Sequence, residues 1–253
     1  MFNIIYRNKF LRALIAFSRA FYYIKLKRKV NSFEADPEFV SKLTIFSNRR
    51  RVIKNNSVHA HPTARYLFGI DLDFLGEKSS LFINYLNSIT FFYKARRDQH
   101  LLVIGPRNEA ELFNFIGKGF NKNNISAIDL FSYSPMIETM DMHDLKFSKK
   151  KFDIVYAGWV IIYSENRRRA IEQMLSVTKP GGLIALTATL SRLTAEELEN
   201  KRGYVVGSHD RFHEITDLTK LFDQFRPVCR IIYQTPSTIE QHSLGMVVVQ
   251  KIA

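Results

Sequence analysis

One glycine and two aspartates carry the first chemical signal in this chain. Gly105 ends the apolar run Leu101-Leu102-Val103-Ile104, and a helical pattern from Ala110 to Ile116 follows at once. A buried strand that breaks at a glycine and turns into a helix lets the backbone approach a ligand with no Cβ in the way. The helix behind it presents free N–H groups to something polar. Asp129 ends the next apolar run, Ile125-Ser126-Ala127-Ile128, and stands 24 positions after Gly105. A carboxylate there can accept hydrogen bonds from both hydroxyls of a ribose. Asp141 follows a third, shorter extended stretch near Glu138 to Met140. An aspartate at a strand end is also an ordinary cap or turn residue. The run of all three residues at successive strand ends favours a ligand.

These residues need a scaffold, and from residue 99 onward the pattern supplies one. Strands are predicted at about 100–104, at 125–129, near 138–140, at 152–158 and at 183–188, with two more at 228–233 and 245–250. Helices are predicted over about 108–118, ending near Gly117 and Gly119, and over 165–178. The turn Lys179-Pro180-Gly181-Gly182 is expected to lead into the fifth strand. Between 190 and 225 a long connection holds at least one helix, whose start is marked by the capping-box pattern Thr194-Ala195-Glu196-Glu197. A helix over Ser79 to Lys94 precedes the first strand. Strands alternating with helices predict an α/β, Rossmann-like domain with a mainly parallel seven-stranded sheet and helices on both faces.

Charge is uneven along the chain. Its 253 residues carry a net charge of +13, and residues 1–30 hold eight basic side chains and no acid. There Phe10, Leu14, Phe17, Phe21 and Ile24 recur at helical spacing, so they share one face. Such a basic, aromatic-rich helix can lie on an anionic membrane; equally, its apolar face can pack on the protein itself. A second basic cluster, Arg49-Arg50-Arg51 with Lys54, lies further on. These features divide the chain into a basic amphipathic helical extension, residues 1–60, and a main domain, residues 61–253. The longest uncharged run near the start has six residues, far short of the roughly 20 that span a bilayer and too short for a secretory signal core. One cysteine, Cys229, allows no internal disulfide, so a cytoplasmic setting is expected, peripheral at the inner membrane if the helix binds lipid. His59 and His61 are two apart without further ligands nearby, so no metal is expected.

The order of these signals resembles the class I S-adenosylmethionine-dependent methyltransferases. The matching pieces are LLVIGPRNEAEL, ISAIDLF, MDMHDLKF, KFDIVYAGWVIIYSE and KPGGLIAL, between Leu101 and Leu186. The resemblance implies S-adenosylmethionine as cofactor and an antiparallel strand at the C-terminal end of the sheet. It implies that the first loop, Gly105 and Pro106, contacts the methionine part. Asp129, with Leu130 beside it, would hold the ribose. Asp141 and Met142 would flank the adenine, with His143 as a neighbour, and Gly158 and Trp159 would lie after the fourth strand. The first loop departs from the pattern: Val103 stands where an acid is usual, and Arg107 and Glu109 stand at glycine-like positions. Arg107 could pair with the cofactor's carboxylate and Glu109 with its α-amino group. The variant pieces GPRNE, DLFSYSP, DMHD and GWVIIYS resemble a bacterial subgroup linked to surface-polysaccharide biosynthesis. That implies O-methylation of a sugar or glycan intermediate, free or lipid-linked.

Methyl transfer to a hydroxyl benefits from a general base. His143, His209 and His213 are the histidines in suitable places, and Tyr163 lies just beyond the fourth strand. His209 and His213 are four apart and share a face if that piece is helical. Each is also readable as a surface or capping residue. Two other functions compete. An RNA methyltransferase would suit the charge, but the basic residues cluster in an apolar helix rather than beside aromatic stacking platforms. A non-catalytic module, tethered to membrane or complex, would suit the glycine-poor loop. A nicotinamide dehydrogenase is disfavoured because G-x-G-x-x-G is absent.

Overall fold

A computed structural model of the chain describes residues 8, 11, 15, 83, 84, 86, 97–106, 109–130, 136–164, 166–194, 196, 197, 211–237 and 242–253. The N-terminal extension, the helix expected over Ser79 to Lys94, Arg107 and His209 therefore fall wholly or largely outside the described residues. The chain divides into two compact units, Met1–Met140 and Asp141–Ala253.

In the first unit, β1 (Leu101–Ile104) pairs in parallel with β2 (Ile125–Asp129), and β2 pairs in parallel with β3 (Glu138–Thr139). Every residue of β1 is buried. A strand covered on both faces needs an unbroken apolar run rather than alternation, and Leu-Leu-Val-Ile supplies it. Helix α1 (Glu109–Gly117) buries Leu112, Phe113, Phe115 and Ile116. It ends as the sequence suggested, at a glycine. Gly119 takes φ +104°, its N–H donates to the Ile116 carbonyl at 3.0 Å, and the Phe120 N–H donates to the Phe115 carbonyl at 3.2 Å. That bond pair is a Schellman cap, which requires left-handed backbone at the residue Gly119 occupies. Phe120 then packs edge-on against Phe115, with centroids 5.6 Å apart.

In the second unit, β4 (Phe152–Gly158) runs parallel to β5 (Thr178–Ser191). Helix α2 (Arg167–Val177) connects them, capped by the Asn166 side chain on the Arg169 N–H. Helix α3 (Ile215–Lys220) follows, then β6 (Cys229–Gln234) and β7 (His242–Lys251). Strand β7 is antiparallel to both β5 and β6. β4 and the centre of β5 are almost wholly buried, whereas every second residue of β6 is exposed, as in a half-covered strand. The strand order is β3-β2-β1-β4-β5-β7-β6 in one seven-stranded sheet, the mainly parallel, Rossmann-like arrangement expected.

The Lys-Pro-Gly-Gly turn differs in detail from its expected place. Thr178 already pairs with Phe152, and pairing resumes at Ile154 with Leu183, so the turn is a bulge inside β5 rather than a lead-in to it. Gly181 takes φ +76°. A Cβ on Gly182 would lie 2.8 Å from the Thr178 Cγ2 and 2.9 Å from the Asp153 carbonyl. Lys179 closes the bulge by donating to both carboxylate oxygens of Asp153, at 2.9 and 2.8 Å. At the far end of α2, the buried Lys251 ammonium donates to the Leu175 and Thr178 carbonyls at 2.8 and 2.9 Å. It satisfies acceptors that a helix C-terminus leaves open. Burial, and then the charge of Lys150, lower the Lys251 pKa.

The Thr194 capping box is formed. The Glu197 carboxylate accepts from the Thr194 N–H at 2.6 Å, and the Thr194 hydroxyl accepts from the Glu197 N–H at 3.1 Å. A second box, Glu214 with Asp217, starts α3. Among the described residues no helix is long and apolar enough to cross a membrane.

Candidate functional site

In an open α/β sheet ligands gather at the carboxyl ends of the strands. In the first unit, Gly105 follows β1 directly at φ +70°, the left-handed region that favours glycine. Its N–H donates to the Ile128 carbonyl at 2.8 Å, so the turn is tied to the residue before Asp129. Pro106 is buried behind it. Glu109 is the first residue of α1 and 1% exposed, where a negative charge complements the helix dipole. Asp129 ends β2 half-buried, as does Leu130 beyond it, and the Asp129 carbonyl accepts from the Met140 N–H at 2.9 Å.

In the second unit, Asp141 and His143 are brought together. The Asp141 Oδ1 accepts from the His143 N–H at 2.8 Å and lies 2.6 Å from the ring Nδ1. Burial works to raise the Asp141 pKa, but the ring and backbone hydrogen bonds from His143, with its charge, outweigh that and hold the carboxyl below its ordinary value. An ionised carboxylate only accepts, so Nδ1 carries the proton of this bond. On the other side of the ring, Nε2 lies 2.6 Å from the Ser164 hydroxyl. His143 is 2% exposed and Ser164 1%. The Arg169 Nε donates to the His143 carbonyl at 3.1 Å. Met142 is buried between its two polar neighbours in sequence.

The stretch after β4 is held in a rare conformation. Gly158 is buried, and Trp159 next to it takes φ +57°, a sparsely populated region for a bulky residue. The Trp159 N–H donates to the Thr187 carbonyl of β5 at 3.0 Å. Such outliers cluster where function fixes the backbone. Tyr163 closes a single 3-10 turn, Ile161–Tyr163, and is half-buried.

His213 lies ahead of α3 rather than in a helix, so helical spacing from His209 is not what positions it. A tertiary contact does so instead. Its Nδ1 is 2.9 Å from the Ser191 carbonyl at the end of β5, and the Ser191 N–H donates to the Phe212 carbonyl at 2.9 Å. A carbonyl accepts, so Nδ1 carries hydrogen, and in the neutral ring Nε2 presents its lone pair. Ser164 and Ser191 are the partners that the sequence did not single out. Their bonds span 21 and 22 residues, and no local pattern signals them. Among the described residues no group of three or more His, Cys, Asp or Glu could hold a metal.

Residues 118–186 match a protein family described as a methyltransferase domain. No curated protein matches the chain. Among solved structures, the CurJ carbon methyltransferase is 13% identical with a TM-score of 0.53, covering 90% of this chain and 71% of that one. An S-adenosylmethionine-dependent methyltransferase from Mesorhizobium loti is 13% identical with a TM-score of 0.48, covering 65% of this chain and 96% of that one. One from Listeria monocytogenes is 12% identical with a TM-score of 0.47, covering 68% and 99%. At 13% identity the likeness to the CurJ enzyme speaks to fold, and the family match speaks to class. The family match over residues 118–186 supports methyltransferase activity with S-adenosylmethionine as the cofactor.

Each unit, taken by itself, holds an acceptor of a type that this cofactor can use. Asp129 is a half-buried acceptor at a strand end, as ribose hydroxyls need. Asp141 spends Oδ1 on His143 and keeps Oδ2 outside those bonds, on a side chain 22% exposed.

Proposed function

We propose that the chain O-methylates a hydroxyl of a sugar or glycan intermediate of surface-polysaccharide biosynthesis. The observation that carries this reading is His213. Its Nδ1–H is committed to the Ser191 carbonyl, which leaves Nε2 to take a proton from an acceptor hydroxyl at the end of β5. S-adenosylmethionine, when bound, supplies a methyl group already activated on a sulfonium. The protein then has to hold, orient and deprotonate, and positioning the nucleophile in line supplies most of the rate. Asp129 would hold the ribose and Asp141 the adenine amino group. Glu109 and Arg107 would serve the α-amino and carboxylate ends. Tyr163 and Trp159 would shape the acceptor side. The sugar acceptor rests on the resemblance of GPRNE, DLFSYSP, DMHD and GWVIIYS.

The same proposal extends to residues 1–30 as a peripheral membrane contact on the cytoplasmic side. The eight basic residues there support it. So does Leu11, which is helical, 36% exposed and capped through its N–H by the Asn8 side chain at 3.2 Å. The division into an extension, 1–60, and a methyltransferase domain, 61–253, belongs to this reading.

The test is formation of S-adenosylhomocysteine with a panel of nucleotide-linked and lipid-linked sugars. Turnover that needs a glycan hydroxyl supports the reading. Turnover on RNA alone, or none with tight cofactor binding, overturns it. Loss of anionic-vesicle binding on removal of residues 1–30 supports the membrane contact, and unchanged binding removes it.

A further inference from the structure

We infer that His143 and Ser164 are positioning residues that give the cofactor site its selectivity for an amino-bearing purine. The inference rests on the reading of Asp141 as the adenine partner. Asp141, His143 and Ser164 form one hydrogen-bonded chain with both ring contacts at 2.6 Å. Its order is fixed by chemistry. The carboxylate accepts from Nδ1–H, so in the neutral ring Nε2 accepts from the Ser164 hydroxyl, and the hydroxyl is the only proton source in that bond. Ser164 is itself pinned, because its N–H donates to the Ile161 carbonyl at 3.2 Å. The loop side is pinned by the His143 N–H on Oδ1 and by Arg169 on the His143 carbonyl. With Oδ1 occupied twice, Oδ2 is the oxygen left to meet a ligand, and it can only accept. A donor such as the exocyclic amino group of adenine satisfies it. A carbonyl in the same place, as in hypoxanthine, sets two acceptors against each other.

The experiment measures the affinity of S-adenosylhomocysteine and of S-inosylhomocysteine by calorimetry, so no turnover is needed. The wild-type chain should prefer the adenosyl compound at least about tenfold. His143→Leu removes both ring contacts and should bring the ratio close to one. Ser164→Ala should lower it several-fold. His143→Asn keeps an amide donor where Nδ1 stood and should restore most of it. A merely structural role would weaken both ligands together and leave their ratio alone. Thermal unfolding separates misfolded variants, and for any that fail to fold His143→Asn and Ser164→Ala carry the test. A ratio that stays at the wild-type value in folded His143→Leu and Ser164→Ala overturns the inference. A wild-type chain that binds neither compound overturns the cofactor reading beneath it.

Discussion

The turn after β1 is set by a single backbone conformation, whereas the loop after β3 is set by a chain of hydrogen-bonded side chains. Gly105 at φ +70° with its N–H on Ile128 needs only the absence of a Cβ. Asp141 needs His143, and His143 needs Ser164, 21 residues away. His213 follows the second pattern, its ring set by a carbonyl of β5. Backbone devices are local and cost little to keep. Side-chain chains in low dielectric are strong when complete and costly when broken, because each member left behind is a buried polar group without its partner.

The widest separation of the two patterns should come from His213. As a base it should matter only to chemistry, so His213→Ala should lower turnover about 10²- to 10⁴-fold while S-adenosylhomocysteine affinity stays within about twofold. A parallel loss of affinity would show the ring to be part of the scaffold. Next, Asp129→Ala should weaken S-adenosylhomocysteine binding about ten- to a hundredfold, the range for hydrogen bonds to a charged group. Equal affinity by calorimetry would remove Asp129 from the site. Gly105→Ala tests the backbone device itself. It should cost about 1–2 kcal/mol in denaturant unfolding, the penalty of an L-residue in left-handed backbone. No loss of stability would mean that the turn relaxes freely.

The smallest effect is in acid. The Asp141 pKa is lowered in the folded chain. Its stabilisation is therefore present above the unfolded value of about 3.9 and is lost as pH falls through the lower folded value. Asp141→Asn should flatten that acid limb of the unfolding profile, and His143→Leu should flatten it equally if the histidine is the cause. An Asp141→Asn limb that matches wild type would place the acid sensitivity elsewhere.

Much of the fold could be read in advance from period and punctuation. The unbroken Leu-Leu-Val-Ile of β1, the five residues of β2 and the seven of β4 stand within a residue of their expected bounds. So does the end of α1 at its glycine cap. The Lys-Pro-Gly-Gly turn was recognised as a turn but not as a bulge, because only the pairing of Thr178 with Phe152 shows that β5 has already begun. At the site, Gly105, Asp129 and Asp141 were legible as strand-end residues of suitable type. Ser164 and Ser191 were not, since a serine in an apolar run and a backbone carbonyl carry no local signal.

The sequence by itself determined the strands, the helix caps and the residues that stand at the strand ends, because those depend on near neighbours along the chain. Only the tertiary structure decided which ring nitrogen of His143 and of His213 carries a proton, and which oxygen of Asp141 is left to a ligand. His143 Nε2 and His213 Nδ1 meet residues 21 and 22 positions away, while the Asp141 oxygen is chosen by His143 two positions on, whose ring Ser164 holds from across the fold; folding alone brings those distant groups within reach.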